Sequence, residues 1–279
     1  MMSETKELMI RDLKKWFRSP AWLFASLVQP VLWLVLFGNA FNPTNMVPSF
    51  PGSGAIQSQI LQSTFGGAPN YITFLTAGML CFLVVTWAMW AGGPLVTDRS
   101  LGYLNKLLVA PISRTAITFS LLLSSILKGV LLSGILLVVA IVLPGGLVFG
   151  NSFDVVDLLG IFGALTLLSI GFLWLFMIIS VRAKRFETLA AIGSTLGLPL
   201  LFASSALLPT ASMPAWLSEV AGVNPISKAA DIIRYLIIQG SISGTTLTMV
   251  TSDFAYLGTF AIICTILGAF ASNHGLRVE

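Results

Sequence analysis

The chain has 279 residues, of which 56% are hydrophobic and 9% are charged, whereas soluble domains carry about 25% charged residues. A mean hydropathy of +0.92 excludes a soluble globular protein, because a water-exposed surface needs more charge than this chain has. The net charge of +4 indicates membrane topology and no nucleic-acid partner, since the basic residues lie beside the apolar runs. The sequence therefore predicts an all-α integral membrane protein whose surroundings are the lipid bilayer.

Residues 1–20 are predicted to form a cytoplasmic amphipathic helix on the membrane surface, which Pro20 separates from the first apolar run. Its basic face and aromatic edge form the predicted interfacial anchor, which consists of Arg11, Lys14, Lys15, Trp16 and Arg18. Trp16 is expected to dip into the acyl boundary. The alternative is a signal peptide, but the following apolar run is long enough to cross a membrane.

Residues 21–279 are predicted to form one transmembrane domain with six spans. A helix needs roughly 20 apolar residues to cross the hydrocarbon layer of a bilayer. Runs of that kind lie at about 21–41, 71–96, 115–143, 158–181, 188–208 and 254–270. Pro30 should kink the first span, and Gly92-Gly93-Pro94 should distort the end of the second.

The stretch between the fifth and sixth spans, residues 209–252, contains several prolines and no run long enough to cross. Two short helices are predicted there, at 215–221 and 226–239. They suggest a broken, partly re-entrant outer hairpin, which is tolerated at membrane depth only where protein or water covers its backbone. On the second helix, charged residues three apart favour local ion pairing: Lys228, Asp231 and Arg234.

The distribution of basic residues predicts the topology. With six spans and both termini in the cytoplasm, twelve of the fifteen Lys and Arg residues lie inside. They are Lys6, Arg11, Lys14, Lys15, Arg18, Arg99, Lys106, Arg114, Arg182, Lys184, Arg185 and Arg277. The positive-inside rule therefore favours a multi-pass protein of the cell (plasma) membrane in this orientation.

A polar-edged segment at residues 97–114 joins the second and third spans. Its leucines recur at helical spacing, so it is predicted to be a short amphipathic helix that ends before Pro111. Such a helix lies either on another protein or on lipid headgroups. Periodicity alone leaves both interpretations open.

The residues needed for catalysis or metal binding are missing from the sequence. His274 is its one histidine, and Cys81 and Cys264 each lie within a predicted span, so no metal site or nucleophile–base pair can be assembled. No phosphate-binding Gly-x-x-x-x-Gly-Lys-Ser/Thr loop occurs. The chain is therefore not expected to be an enzyme or to bind a cofactor itself.

Several motifs, in their order and spacing, resemble the type-2 ABC transporter permeases, a family of membrane subunits that includes daunorubicin-resistance-like drug, lipid and glycoconjugate exporters. The similarity extends over nearly the whole chain. Its motifs are Gln29-Pro30-Val31-Leu32-Trp33 with Gly38, Tyr71-Ile72-Thr73-Phe74-Leu75 with Gly78, Asp98-Arg99 with Gly102, Leu104, Leu107, Leu108 and Pro111, and a late block of Pro209, Pro214-Ala215-Trp216-Leu217, Asn224-Pro225, Asp231 and Arg234.

This resemblance implies a half-transporter, with two identical or closely related permease subunits and two separate ABC ATPase subunits that bind ATP and Mg²⁺. It also implies that residues 97–111 are the cytoplasmic coupling helix that contacts the ATPase. The coupling residues would be Asp98, Arg99, Gly102, Leu104, Leu107, Leu108 and Pro111. Ser100 and Asn105 stand where family members often have acids, and Asp98 and Arg99 could instead be simple helix-end charges.

Four further residues are candidates for the substrate pathway or gate. Lys128 lies 15 residues before Leu143, or roughly 22 Å along a helix. It could therefore snorkel to the cytoplasmic edge, or line an inner cavity that attracts anionic groups. Ser204, Ser205 and Trp216 lie near the hairpin, which could form an outer gate with its dimer mate.

The expected function is ATP-driven export of a hydrophobic or amphipathic compound, such as a drug or a lipid. Export of a glycan or glycoconjugate is one alternative. A channel or structural subunit that works without an ATPase is the other. A neighbouring reading frame that encodes an ATPase would favour export.

Overall fold

The computed structural model describes residues 2–40, 65, 67–102, 114–183, 185–240 and 245–275, and the regular elements in these ranges are helices. They are α1 (Met2–Phe17), α2 (Pro20–Ala40), α3 (Tyr71–Trp90), α4 (Gly93–Ser100), α5 (Arg114–Val142), α6 (Val155–Arg182), α7 (Phe186–Phe202), a single 3₁₀ turn (Thr210–Ser212), α8 (Ala215–Val223), α9 (Pro225–Gln239) and α10 (Thr245–Gly275).

Four stretches within the described residues are long and apolar enough to cross a membrane: Tyr71–Ser100, Ala116–Val142, Val155–Arg182 and Thr248–Ser272. Two shorter apolar stretches, Leu23–Gly38 and Phe186–Phe202, lie in α2 and α7. These cover the first and fifth predicted spans. The all-helical membrane fold is thus confirmed, whereas the count of six spans stays a prediction.

Helix α3 lies at the centre of the bundle. In the stretch Tyr71–Ser100, which contains α3, the most apolar part is 89% buried. The corresponding part of Thr248–Ser272 in α10 is 22% buried. Helix α3 packs against α2, α5, α6, α7 and α9, which explains why its sequence is apolar on every side. Most of the α10 surface is left for lipid or for another subunit.

Side-chain contacts define two ends of the bundle. At the basic end, Arg11 of α1 contacts Asp98 of α4, and Arg99 contacts the end of α6. At the hairpin end, Asn70 donates hydrogen bonds to the carbonyls of Gly145 and Gly146 in the loop after α5. Successive helices connect the two ends.

Helix α3 and helix α4 are separated where the sequence predicts a distortion, at Gly92-Gly93-Pro94. The α3 helix ends at Trp90, and α4 begins at Gly93 with Pro94 in its first turn. A methyl group on Gly92 would overlap the Ser180 side chain of α6. The bend therefore also provides close contact between α4 and α6.

Within the described residues, the helix predicted at 97–111 is helical only at residues 97–100. Helix α4 starts earlier, at Gly93, and ends at Ser100. Gly102 has a φ of +69°, a left-handed conformation that glycine adopts at little cost and that ends helices. Residues 103–113 lie outside the described residues.

Two helix ends differ from the predicted span boundaries. Helix α7 ends at Phe202 and not at 208, because Asn224 donates hydrogen bonds to the carbonyls of Leu200 and Ala203. Helix α10 begins at Thr245, before the predicted span at 254–270, which stays a prediction; inside this helix Asp253 forms an ion pair of 2.9 Å with Lys228.

Small residues let α3 approach its neighbours. A methyl group on Gly197 of α7 would overlap the sulfur atom of Met89, so α7 packs closely against α3 at this glycine. A methyl group on Gly78 of α3 would overlap the backbone carbonyl of Ala206, which lies between α7 and the hairpin. Backbone atoms cannot move aside as a flexible side chain can.

We expect Gly78→Ala to destabilise the protein by about 1–3 kcal/mol through overpacking. The measurement is the thermal unfolding midpoint of the detergent-solubilised protein. The matched control is Gly258→Ala in α10, where no atom lies within 4 Å of the added methyl group and the better helix propensity of alanine should slightly raise the midpoint. Equal effects of the two substitutions would contradict the close packing of α3 against Ala206.

Candidate functional site

Arg99 joins α4 to the junction between α6 and α7. Its two terminal nitrogens donate hydrogen bonds of 2.8 Å each to the carbonyls of Val181 and Ala183. These carbonyls lie at the C-terminus of α6, where the helix dipole is negative and favours a cation. Arg99 is therefore a helix-end charge, but for a neighbouring helix and not for its own.

Asp98 joins α4 to α1. Its carboxylate lies 3.4 Å from a guanidinium nitrogen of Arg11, and both side chains are partly exposed. Such a pair contributes little to stability. Together with the Arg99 contacts, however, it connects the short helix α4 to two other elements of the basic end.

Lys128 has a buried counterion that the sequence analysis missed. Its ammonium group pairs with the carboxylate of Asp12 in α1, which also accepts a hydrogen bond from Ser124. Both Lys128 and Asp12 are at most 9% exposed. The structure thus shows an ion pair between α1 and α5 in place of snorkelling, at the edge of an inner cavity of about 260 Å³ that Lys128 also lines.

The sequence did contain a signal for Asp12. Leu8, Asp12 and Trp16 stand four residues apart, so the acid lies on the face of α1 that otherwise carries large apolar residues. An acid on such a face, and a lysine in a spanning run, each need a partner. Matching them would have predicted their contact.

Trp16, in the same helix as Asp12, also faces the protein. Its ring packs edge-on to Trp87 with 6.1 Å between centroids, and the side chain is 7% exposed, so it contacts protein where the sequence predicted lipid. The other anchor residues are exposed, namely Arg11, Lys14, Lys15 and Arg18. Their binding to headgroups stays a prediction.

The hairpin end is organised by the buried guanidinium of Arg234 in α9. It donates hydrogen bonds to the carbonyls of Phe74, Ser205 and Ala206. It also pairs with Asp231 at 3.0 Å and lies 3.7 Å above the Phe74 ring. The predicted local pairing of Asp231 with Arg234 is confirmed, but Arg234 is 8% exposed and Lys228 pairs with Asp253.

The candidate gate residues occupy different positions. Ser204 and Ser205 are buried, and their hydroxyl groups hydrogen-bond to Leu201 and Asp231. Ser205 also lines a cavity of about 300 Å³ beside Arg234. Trp216 of α8 is instead 68% exposed. A gating role for these residues stays a prediction.

The remaining candidates offer no local geometry for chemistry. Gly102 ends the described part of the segment, while Leu104, Leu107, Leu108 and Pro111 lie outside it. Within the described ranges, no group of three His, Cys, Asp or Glu side chains could hold a metal ion. The two cysteines are buried free thiols.

A multi-pass helical bundle with a short charged helix at one end and a broken hairpin at the other fits a membrane transport permease. Comparison with known proteins supports this class. The chain belongs to the ABC-2 type transporter family, which matches residues 3–238. The expected resemblance is therefore confirmed, and permeases of this family normally work with an ABC ATPase subunit.

Three relatives are similar over most of their length. The chain is 35% identical to the transport permease ycf38 of Pyropia yezoensis over 240 residues, which cover 85% of this chain and 74% of that protein. It is 32% identical to ycf38 of Cyanophora paradoxa over 220 residues, or 78% and 69% of the two chains. It is 30% identical over 180 residues to the daunorubicin resistance ABC transporter permease protein DrrB1 of Streptomyces coeruleorubidus, or 62% and 61%.

Removing one partner of the buried Lys128–Asp12 pair should destabilise the protein strongly. We expect Lys128→Met or Asp12→Leu alone to cost about 3–5 kcal/mol, because each leaves a buried charge unpaired. The double substitution should cost much less than the sum. The measurement is a double-mutant cycle on the thermal or denaturant stability of the solubilised protein.

The control is Lys14→Met, which removes an exposed lysine from α1, the helix that carries Asp12. It should change stability by less than about 0.5 kcal/mol. Additive effects of the two core substitutions would show that Lys128 and Asp12 do not interact, and would contradict the docking of α1 on α5.

Proposed function

We propose that this chain is the membrane-spanning subunit of an ATP-driven ABC transporter that exports a hydrophobic or amphipathic compound, such as a drug or a lipid, across the cell membrane. It works as a homodimer or with a closely related permease. Two separate ATPase subunits bind ATP and Mg²⁺ at the basic end, which faces the cytoplasm. The daunorubicin-resistance relative supports this substrate class.

The observation that carries this proposal is the position of α4 between three elements. Asp98 contacts α1, and Arg99 contacts the α6–α7 junction. Val96 of α4 also packs with Ala183 and Leu189 of that junction in a small apolar cluster. A force that the ATPase applies to α4 at the basic end would therefore displace α1, α6 and α7 together.

The charge-assisted hydrogen bonds from Arg99 to two carbonyls suit the transmission of movement from α4 to the α6–α7 junction. The planar guanidinium of Arg99 holds both acceptors in one orientation, whereas a lysine would contact them only as a point charge. The energy of ATP hydrolysis thus enters through the segment at 97–114 and reaches helix ends first. The permease supplies the path and no chemistry of its own.

The test is reconstitution in liposomes with a candidate ABC ATPase subunit. We expect the two proteins to copurify, and amphipathic compounds to stimulate ATP hydrolysis and to be transported only when the ATPase is present. Transport at full rate without the ATPase would contradict the proposal and favour a channel.

In the same assay, Arg99→Lys should lower transport per ATP hydrolysed by roughly tenfold, equivalent to about 1.4 kcal/mol, while copurification persists. Arg182→Lys is the matched control, because Arg182 is exposed at the end of α6. Undiminished coupling in Arg99→Lys would show that the carbonyl contacts do not carry the movement.

A further inference from the structure

We propose that the cavity at the basic end binds the headgroup of an anionic phospholipid from the adjacent leaflet. The cavity has a volume of about 260 Å³. Its walls come from α1, α3, α4, α5 and the start of α7. It therefore lies between α1 and the bundle. The predicted location of α1 on the membrane surface would place it where lipid headgroups meet hydrocarbon.

One wall of the cavity is polar and carries a net positive charge. Lys128 and Asp12 both line it, but each neutralises the other in their ion pair. Lys15 also lines it, and within the described part of the chain no carboxylate lies at ion-pair distance from its ammonium group. Hydroxyl groups of Ser19 and Thr97 stand nearby as hydrogen-bond donors.

The other wall is aromatic. Trp87 and Trp90 of α3 line it together with Phe186 of α7, whose ring stacks on Trp90 with 5.7 Å between centroids. The indole N–H groups of Trp16 and Trp87 are buried and have no acceptor among the described residues. Buried donors without acceptors are rare in proteins, and a ligand with oxygen acceptors would satisfy them after a small adjustment.

The size and chemistry of the cavity select the occupant. Sites that enclose a whole drug-sized molecule measure about 300–1,000 Å³, so this cavity suits the polar end of a longer molecule. A zwitterionic headgroup brings a cation together with its phosphate, so the net positive charge of the polar wall favours an anionic headgroup over it. A free anion would leave the aromatic wall uncovered. A phospholipid places its phosphate beside Lys15 and its first methylenes against Trp87 and Trp90, as tryptophans at membrane interfaces do.

Native mass spectrometry of the full chain tests this proposal. The protein is purified in detergent with equal amounts of phosphatidylglycerol and phosphatidylcholine of matched acyl chains. We expect one phosphatidylglycerol per chain to be retained under conditions that remove phosphatidylcholine. Lys15→Gln should lower its retention about fivefold, the effect of one lysine on an anionic lipid.

The matched control is Lys14→Gln. Lys14 is the neighbouring exposed lysine of the same helix and does not line the cavity, so its loss should leave retention nearly unchanged. Equal losses in the two variants would show only diffuse attraction to the basic surface and would overturn the site. So would equal retention of the two lipids by the unmodified protein.

A third variant, Thr97→Phe, fills the cavity without changing its charge and should abolish the retention of phosphatidylglycerol. Retention by that variant would contradict the location of the site. Excess inorganic phosphate should not displace the lipid; displacement would indicate a site for free anions. The assay contains no ATPase and no transported compound, so its failure leaves the proposed function standing. Failure of the transport assay would likewise leave the lipid site standing.

Discussion

The free-energy cost of an unpaired polar group in a hydrocarbon environment governs how both ends of this bundle are built. A buried charge is tolerated only when it is paired and hydrogen-bonded. Lys128 meets that condition through Asp12 at the basic end. Arg234 meets it through Asp231 and three backbone carbonyls at the hairpin end. In each case at least one partner comes from a distant part of the sequence, so these contacts also fix the packing of neighbouring elements.

Because buried polar groups need partners, the helices at the basic end are joined by polar contacts. Arg99 satisfies two terminal carbonyls of α6, and the pairing of Lys128 with Asp12 holds α1 against α5. Helix α4 lies among these elements and belongs to the segment through which a family ATPase is expected to act. The proposed path of movement thus follows contacts that the fold requires for its stability. The cavity between the same helices lies next to that path, so a bound lipid would be positioned to influence it.

Composition and periodicity predicted the helices and the membrane class, because long apolar runs have few other interpretations. They also predicted the break near Gly92 and the two short helices of the hairpin. They missed what depends on contacts between distant residues: the early end of α7, which Asn224 imposes, and the burial of Arg234. Helical periodicity across 97–111 predicted a continuous helix, but the left-handed conformation at Gly102 overrides periodicity. The leucine pattern beyond it remains a prediction.

The central claim is that α1, α4 and the α6–α7 junction move as one unit when the ATPase closes. The most direct test is pulsed electron paramagnetic resonance on the full complex, with spin labels placed pairwise at the exposed positions Lys14, Ser100 and Glu187. Between the nucleotide-free and ATP-trapped states, these three distances should change by no more than about 2 Å, the scale of small shifts between packed helices. The distance from Ser100 to Trp216 at the hairpin end should change by more. Equally large changes within the basic end would contradict the account.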